Sequence, residues 1–509
     1  MNFNHKFIQF INLAITIIFY FFLVQMLYFS GSSTNLSLES VTWYALLVIV
    51  FVVLMYVLIN TSFIDRFERL KHKQWIFAVA FFVSVVIFQI VFISYVHPAI
   101  GFDAGAIHSA LFNPTDVNTR GYYSQYINNL SLLLIQHWLA DTFHNTSWLF
   151  FDYIGLILVD LSALINILTI WLIKRKNTIN LIFLESTLLM VFPWIIISYS
   201  DIWVIPLVSL IILFYTLVVK FRSKLWLRLI MDVALILTVI LTYYIKPSSI
   251  IPIIAIGLIE MKRIYIALFI DHTIKLKQSL IFILVVCLIG GAGYGSFKAI
   301  QQTINKQSYI PVNPGLSVPA IHFISMGTSG DGGYNEKDAL AMALLPDRQD
   351  KVDYSVRILK QRLHKMGPIG YGKFLIMKQS NNTTDGSFAW LKEGHFFAKN
   401  PKPTNLLQSF VYKDGKNLKN YQFLAQLIWL LLLFTLIFAR SHNDEWVQIL
   451  RIAILGGLFY LLIFEGGRTR YLIQFLPLIF LLAAYNSDLS WNFLNRGFRW
   501  AKETFSIDD

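Results

Sequence analysis

The chain is 509 residues long, 56% hydrophobic and 16% aromatic, with a mean hydropathy of +0.60. Soluble globular chains hold about 45–50% apolar residues, so this composition excludes a soluble domain and reads as a polytopic membrane protein. The net charge of +13 does not argue for nucleic acid, because the basic residues sit in short clusters between apolar runs, where the positive-inside rule accounts for them; the single cysteine, Cys287, excludes a disulfide framework and a cysteine-based metal site and reads as a small buried residue.

The first apolar run, 7–29, follows His5-Lys6 and matches the roughly 20 residues that a bilayer core needs. It is longer than a signal-peptide core and no small-residue cleavage pattern closes it, so a retained span is expected. Further spans are expected at 43–60, 76–95, 148–173, 179–199, 202–219, 229–245, 248–261, 279–299, 421–439, 449–464 and 471–486. The expected fold is therefore all-α and polytopic, with about 12 transmembrane helices.

Parity tests this count. With the N-terminus inside, Arg66/Arg69/Lys71/Lys73, Lys174-Arg175-Lys176, Lys220/Arg222/Lys224/Arg228, Lys262-Arg263/Lys275/Lys277 and Arg440 all fall on the cytoplasmic side. The Lys/Arg-poor loop 30–42 falls outside, and a single miscount would invert every later cluster. Both termini are then cytoplasmic.

Two outer segments stand apart. The loop 96–147 contains a stretch, 129–140, too short and polar to cross, which suits an interfacial amphipathic helix. Residues 300–420 are polar, with Gly, Pro and Asn clusters, and are long enough for a small external subdomain or lid. The chain thus divides into an N-terminal transmembrane module, 1–299, with its catalytic outer loop 96–147; an extracytoplasmic part, 300–420; and a C-terminal transmembrane module with a short cytoplasmic tail, 421–509.

The apolar stretches carry almost nothing ionisable, and the exceptions gather where spans meet the outer surface: Asp103, Asp201, Lys246, Arg468 and Arg470. That one-sidedness points to an outward-facing site. Asp103, in a Gly-punctuated turn, suits a general base or a metal ligand, against an ordinary helix cap. Asp201 opens a span, where capping also suffices. Lys246 ends a span and needs either snorkelling or an anionic partner such as a lipid phosphate. Glu465-Gly-Gly-Arg-Thr-Arg-Tyr471 places two arginines and Tyr471 at the head of a span, an anion site or a headgroup anchor. In 300–420, His322, Tyr334, Asn335, Trp390 and Glu393 suit carbohydrate handling, although His322 also fits a satisfied core histidine and Asp331-Gly-Gly a plain turn. Gly291-Ala-Gly-Tyr-Gly295 lacks the Gly-Lys-Ser/Thr ending of a phosphate loop; Gly291 and Gly295 are expected to admit a neighbouring helix.

The order of these parts resembles the GT-C membrane glycosyltransferases, which take sugars from polyprenyl-phosphate donors. Phe102-Asp103-Ala104-Gly105 in the first large outer loop precedes Tyr126-Ile-Asn-Asn129, similar to the juxtamembrane helix of that superfamily, and Asp201 opens a later span. More narrowly, His322-Phe-Ile-Ser-Met-Gly327 with Gly332-Gly-Tyr-Asn335, Trp390-Leu-Lys-Glu-Gly394 and Arg468-Thr-Arg-Tyr-Leu-Ile-Gln-Phe-Leu-Pro477 resemble a little-characterised Gram-positive group of integral membrane glycosyltransferases, some tied to exosortase-like gene clusters. The likeness covers about residues 100–480. Ile127 stands where the superfamily often has proline, and Asp103 lacks an adjacent acid, which argues against a two-carboxylate metal site.

The resemblance implies a plasma-membrane enzyme that transfers a sugar with inversion to a glycan, teichoic acid, lipid or protein acceptor. Asp103 would be the base and Asp201 an orienting or metal-assisting acid, with a divalent metal left open. Lys246, Arg468, Arg470 and Tyr471 would hold the donor phosphate; His322, Tyr334, Asn335, Trp390, Glu393, Tyr126 and Asn129 would shape the sugar and acceptor pocket. A transporter or flippase of a lipid-linked sugar is the alternative, but it calls for a midplane site and often inverted repeats, and no repeat is visible here.

Overall fold

A computed structural model describes residues 3–37, 73–271, 276–392, 396–490, 493 and 496; the span expected at 43–60 and the candidate Glu393 lie outside the described residues. Among the described residues the protein is helical, and its β pairing is one isolated bridge between Ile100 and Phe397. Helices α1 (Phe3–Gly31) and α2 (Gln74–Tyr95) lead into a loop-rich region of three shorter helices, α3 (Phe102–Phe112), α4 (Val117–Gln125) and α5 (Leu130–Phe143). The bundle continues through α6 (Trp148–Lys174), α7 (Thr178–Leu189), the single turn α8 (Ser200–Trp203), α9 (Ile205–Lys220), α10 (Leu225–Ile245), α11 (Ile251–Phe269) and α12 (Leu276–Lys306). Next come α13 (Ala320–Met326), α14 (Glu336–Leu344), α15 (Arg348–Thr383) and α16 (Leu406–Val411). The chain then returns through α17 (Leu418–Leu436), α18 (Glu445–Ile463) and α19 (Leu476–Tyr485).

Long runs of Leu, Ile, Val and Phe become helices because only a helix satisfies every backbone group within one segment in lipid. Six described stretches are long and apolar enough to cross: Lys6–Gly31, Gln74–Tyr95, Trp148–Leu189, Ser200–Lys220, Leu225–Ile245 and Glu445–Ile463. The expected runs 248–261, 279–299 and 421–439 are covered by α11, α12 and α17. Two runs differ from expectation. The run 179–199 is helical only to Leu189, because Pro193 starts a 3-10 turn that presses on α6; a Cβ on Gly155 would stand 2.2 Å from the Ile195 carbonyl. The run 471–486 is a 3-10 segment, Thr469–Phe475, followed by the short α19.

Acids within the helices break the expectation that spans carry almost no charge away from one face, three of them on α6 and α7. Asp152 and Asp160 lie along α6, and Glu185 on α7 accepts a hydrogen bond from Asn166 at 2.8 Å. Asp152 and Glu185 are buried among packed helices, where a polar residue avoids lipid. Two smaller expectations are corrected as well. Cys287 is exposed on α12, and Gly291 and Gly295 meet no neighbour; Gly293 is the position that faces another helix, at Ile236 of α10.

The segment above the bundle is pinned by aromatic packing. Trp194, Trp390 and Phe396 pack edge to face, Phe388 packs edge to face on Phe192 and Trp429, and the indole N–H of Trp194 donates to the Ser387 carbonyl.

Candidate functional site

Asp103 sits on a constrained turn. Phe102, immediately before it, has a φ of 39°, a left-handed conformation that a bulky residue keeps only when its surroundings fix it. They do: Gly101 N donates to the Phe396 carbonyl at 3.0 Å and Ala398 N to the Ala99 carbonyl at 2.9 Å. Gly105 is required by the same turn, since a Cβ there would meet the Ile100 carbonyl at 2.6 Å. No side chain caps α3, whose N-cap is Gly101, so Asp103 is free of the capping role. Instead it accepts a hydrogen bond from the Tyr122 hydroxyl at 2.7 Å, and that hydroxyl accepts one from Asn129 Nδ2 at 2.7 Å. Burial and the adjacent carboxylate push the Tyr122 phenol well above the ordinary tyrosine range, so it remains a donor.

Asp201 likewise caps nothing. It is buried and lies 3.0 Å from Lys246 Nζ and 3.6 Å from Arg470 Nε, an arrangement in which one carboxylate is shared by two cations. Lys246 is drawn to it from the end of α10, with its side chain only 13% exposed, which favours an anionic partner over snorkelling. Arg470 is 4% exposed, too buried for a headgroup anchor, and its guanidinium lies over Phe102, Tyr199 and Tyr471 at 5.3, 5.8 and 4.9 Å. Lys246 lies over Tyr199 and Tyr471, each at 5.9 Å. Tyr199 and Phe102 thus join the Asp103 and Asp201 centres into one aromatic-walled cluster.

Around this cluster, Tyr471 donates to Glu465 at 2.8 Å, and Arg468 pairs with Asp331, whose carboxylate also closes its own turn by accepting from Gly333 N at 3.0 Å. Tyr334 is 60% exposed; burial first, and then nearby carboxylates including Asp103 and Glu465, raise the phenols of Tyr126 and Tyr334. The structure therefore brings together Asp103, Asp201, Lys246, Arg470, Tyr471, Tyr126, Asn129 and Tyr334, with Arg468 engaged alongside by Asp331.

The remaining candidates sit elsewhere. Asn335 caps α14 by accepting from Asp338 N at 3.1 Å. His322 is buried beside the Asp338–Arg362 ion pair; burial pushes its imidazole down to about 4, so it is neutral near pH 7. Trp390 is fully buried, and its indole N–H donates to the Val411 carbonyl at 2.8 Å, leaving no face for a sugar. Sequence reasoning did not single out Tyr122, Tyr199, Phe102 or Glu465 as site residues. The tyrosines carried a usable signal, since Tyr122 lies one helical turn before Tyr126 and Tyr199 adjoins the segment of Asp201.

Asp201 is committed to two cations, and among the described residues no group of three or more His, Cys, Asp and Glu is placed to ligate a metal ion. No curated protein and no solved structure matches the chain. A family model covers residues 7–491, nearly the whole chain, and by that match the protein belongs to the family described as conserved hypothetical integral membrane protein.

Proposed function

We propose that the protein is a GT-C-type membrane glycosyltransferase that moves a sugar from a polyprenyl-phosphate donor to a cell-envelope acceptor at the outer face of the plasma membrane. The observation that carries this reading is the pairing of two unlike carboxylates. Among the described residues Asp103 is held by the Tyr122 hydroxyl and pairs with no cation, while Asp201 lies against Lys246 and Arg470. A carboxylate oriented only by hydroxyls keeps an oxygen able to take a proton, and two clustered cations suit a leaving phosphate.

In this mechanism Asp103 removes the proton of the acceptor hydroxyl as its oxygen attacks the anomeric carbon. The bond from that carbon to the phosphate oxygen breaks, the electron pair leaves with the polyprenyl phosphate, and Lys246 and Arg470 stabilise its charge. One displacement inverts the anomeric centre. Tyr126 and Tyr334 offer ring faces for the sugar, and Asn129 acts through Tyr122 as a positioning residue.

The test is transfer of radiolabel from a panel of undecaprenyl-phosphate sugars to envelope acceptors by the protein in liposomes, beside Asp103→Asn. Transfer by the wild type and none by the variant supports the reading; near-normal transfer by the variant removes Asp103 as the base. A flippase is the second reading, favoured by Asp152, Asp160 and Glu185 on α6 and α7, of which Asp152 and Glu185 are buried, because acids within spans accompany transport pathways. Label that crosses between leaflets without reaching an acceptor would establish it.

A further inference from the structure

Helix α15 breaks at Gly367, whose φ of 61° immediately precedes Pro368, and its exposed face changes character there. Before the break, Arg357, Lys360, His364 and Lys365 are exposed. After it, Ile369 is 79% exposed, Ile376 50% and Met377 40%, with Gly372 and Lys373 exposed between them. Positions 369, 372, 373, 376 and 377 share one helical face. No aspartate or glutamate occurs between Asp353 and Asp385, so the charged residues of this long stretch are all cationic.

The far end of α15 enters the bundle. Lys378 donates to the carbonyls of Gly327 and Phe464 at 2.7 and 2.6 Å, and the Thr383 carbonyl accepts from Ser30 at the end of α1 at 3.3 Å. Helix α1 itself turns Phe21, Val24 and Tyr28 outward, and as a candidate span of an integral membrane protein it presents that face to acyl chains. The apolar face of α15 therefore runs on from a lipid-facing surface, and the basic residues follow beyond it.

We propose that this face of α15 is a contact surface for anionic lipid in the leaflet at the site's end of the bundle. Ile369, Ile376 and Met377 lie at the acyl boundary, and Arg357, Lys360 and Lys365 reach lipid phosphates. The break at Gly367 sets the angle between the two halves, and Lys373 snorkels between the apolar residues. The inference is independent of sugar transfer.

The test uses the full chain carrying Cys287→Ser, with Ile369→Cys or Ile376→Cys labelled by an environment-sensitive fluorophore. The labelled protein is placed in phosphatidylcholine vesicles with or without phosphatidylglycerol. Unchanged thermal melting verifies each labelled protein. The expected result is blue-shifted emission quenched several-fold more by spin-labelled lipid than by aqueous iodide, with quenching increased by phosphatidylglycerol. Adding Lys360→Gln and Lys365→Gln should abolish that increase. Stronger quenching by iodide would place the face in water and overturn the proposal. Resistance to both quenchers would overturn it too, in favour of a second protein surface.

Discussion

At the end of the bundle where α18 begins, Arg263 is saturated with partners. Its Nε donates to Glu445 at 2.9 Å, its Nη2 to the other oxygen of that carboxylate, and its Nη1 to Glu260 and to the Tyr215 hydroxyl at 3.0 Å. Tyr215 donates in turn to Glu260 at 2.6 Å, which ties α9, α11 and α18 together. At the opposite end, Lys246 and Arg470 both face the Asp201 carboxylate, and aromatic rings lie beside both cations. The first cluster is partly exposed; the second is buried and walled by aromatic rings. A solvated ion-pair network staples helices, whereas buried charges held among aromatic rings mark a candidate functional site.

Substitutions separate the two roles. The largest effect is expected from Asp103→Asn, which should lower sugar transfer by about 100- to 10,000-fold while the protein still inserts and melts normally. Next, Arg470→Gln or Lys246→Gln should each lower kcat for transfer by about 100- to 1,000-fold, read in the same radiolabel assay. If either variant kept full activity, the contrast between the clusters would fail. His322 offers a pH signature tied to neither cluster. Its imidazole is held near 4 in the folded protein against 6.5 ordinarily, so as pH falls the unfolded chain takes the proton first. The stability it contributes is complete above pH about 6.5 and is lost progressively toward pH 4, as much as about 3 kcal/mol. His322→Phe should flatten that part of the melting profile. The smallest effect belongs to Arg263→Ala, about 1 kcal/mol of stability because its partners are partly solvated, with transfer unchanged. Loss of transfer in that variant would make the staple part of the working machinery.

Much of this arrangement could be read from the sequence because lipid enforces simple rules. Charges near span ends are conspicuous, and Asp103, Asp201, Lys246 and Arg470 converge as their shared position suggested. Tyr122 and Tyr199 were harder to see, because tyrosine is common near membrane interfaces and only the fold shows which hydroxyl meets Asp103. Trp390 and Asn335 show the opposite difficulty: an aromatic or amide residue in a polar loop looks like a sugar contact until packing and capping claim it. Asp152 and Glu185 were hidden by hydropathy averaging, since one acid scarcely lowers the mean of a long apolar window, and helix packing alone shows where it is sheltered.

The hydrogen bonds joining residues 99–101 to 396–398 also set an order of events during biogenesis. Asp103 is synthesised early, yet its turn gains its clasp only after the segment at 396–398 has been made and brought alongside. A nascent chain therefore holds its acidic residue in an unlocked loop through most of translation. The site matures as one of the last acts of assembly, and a truncated product that ends before residue 396 inserts its early helices without ever completing the clasp.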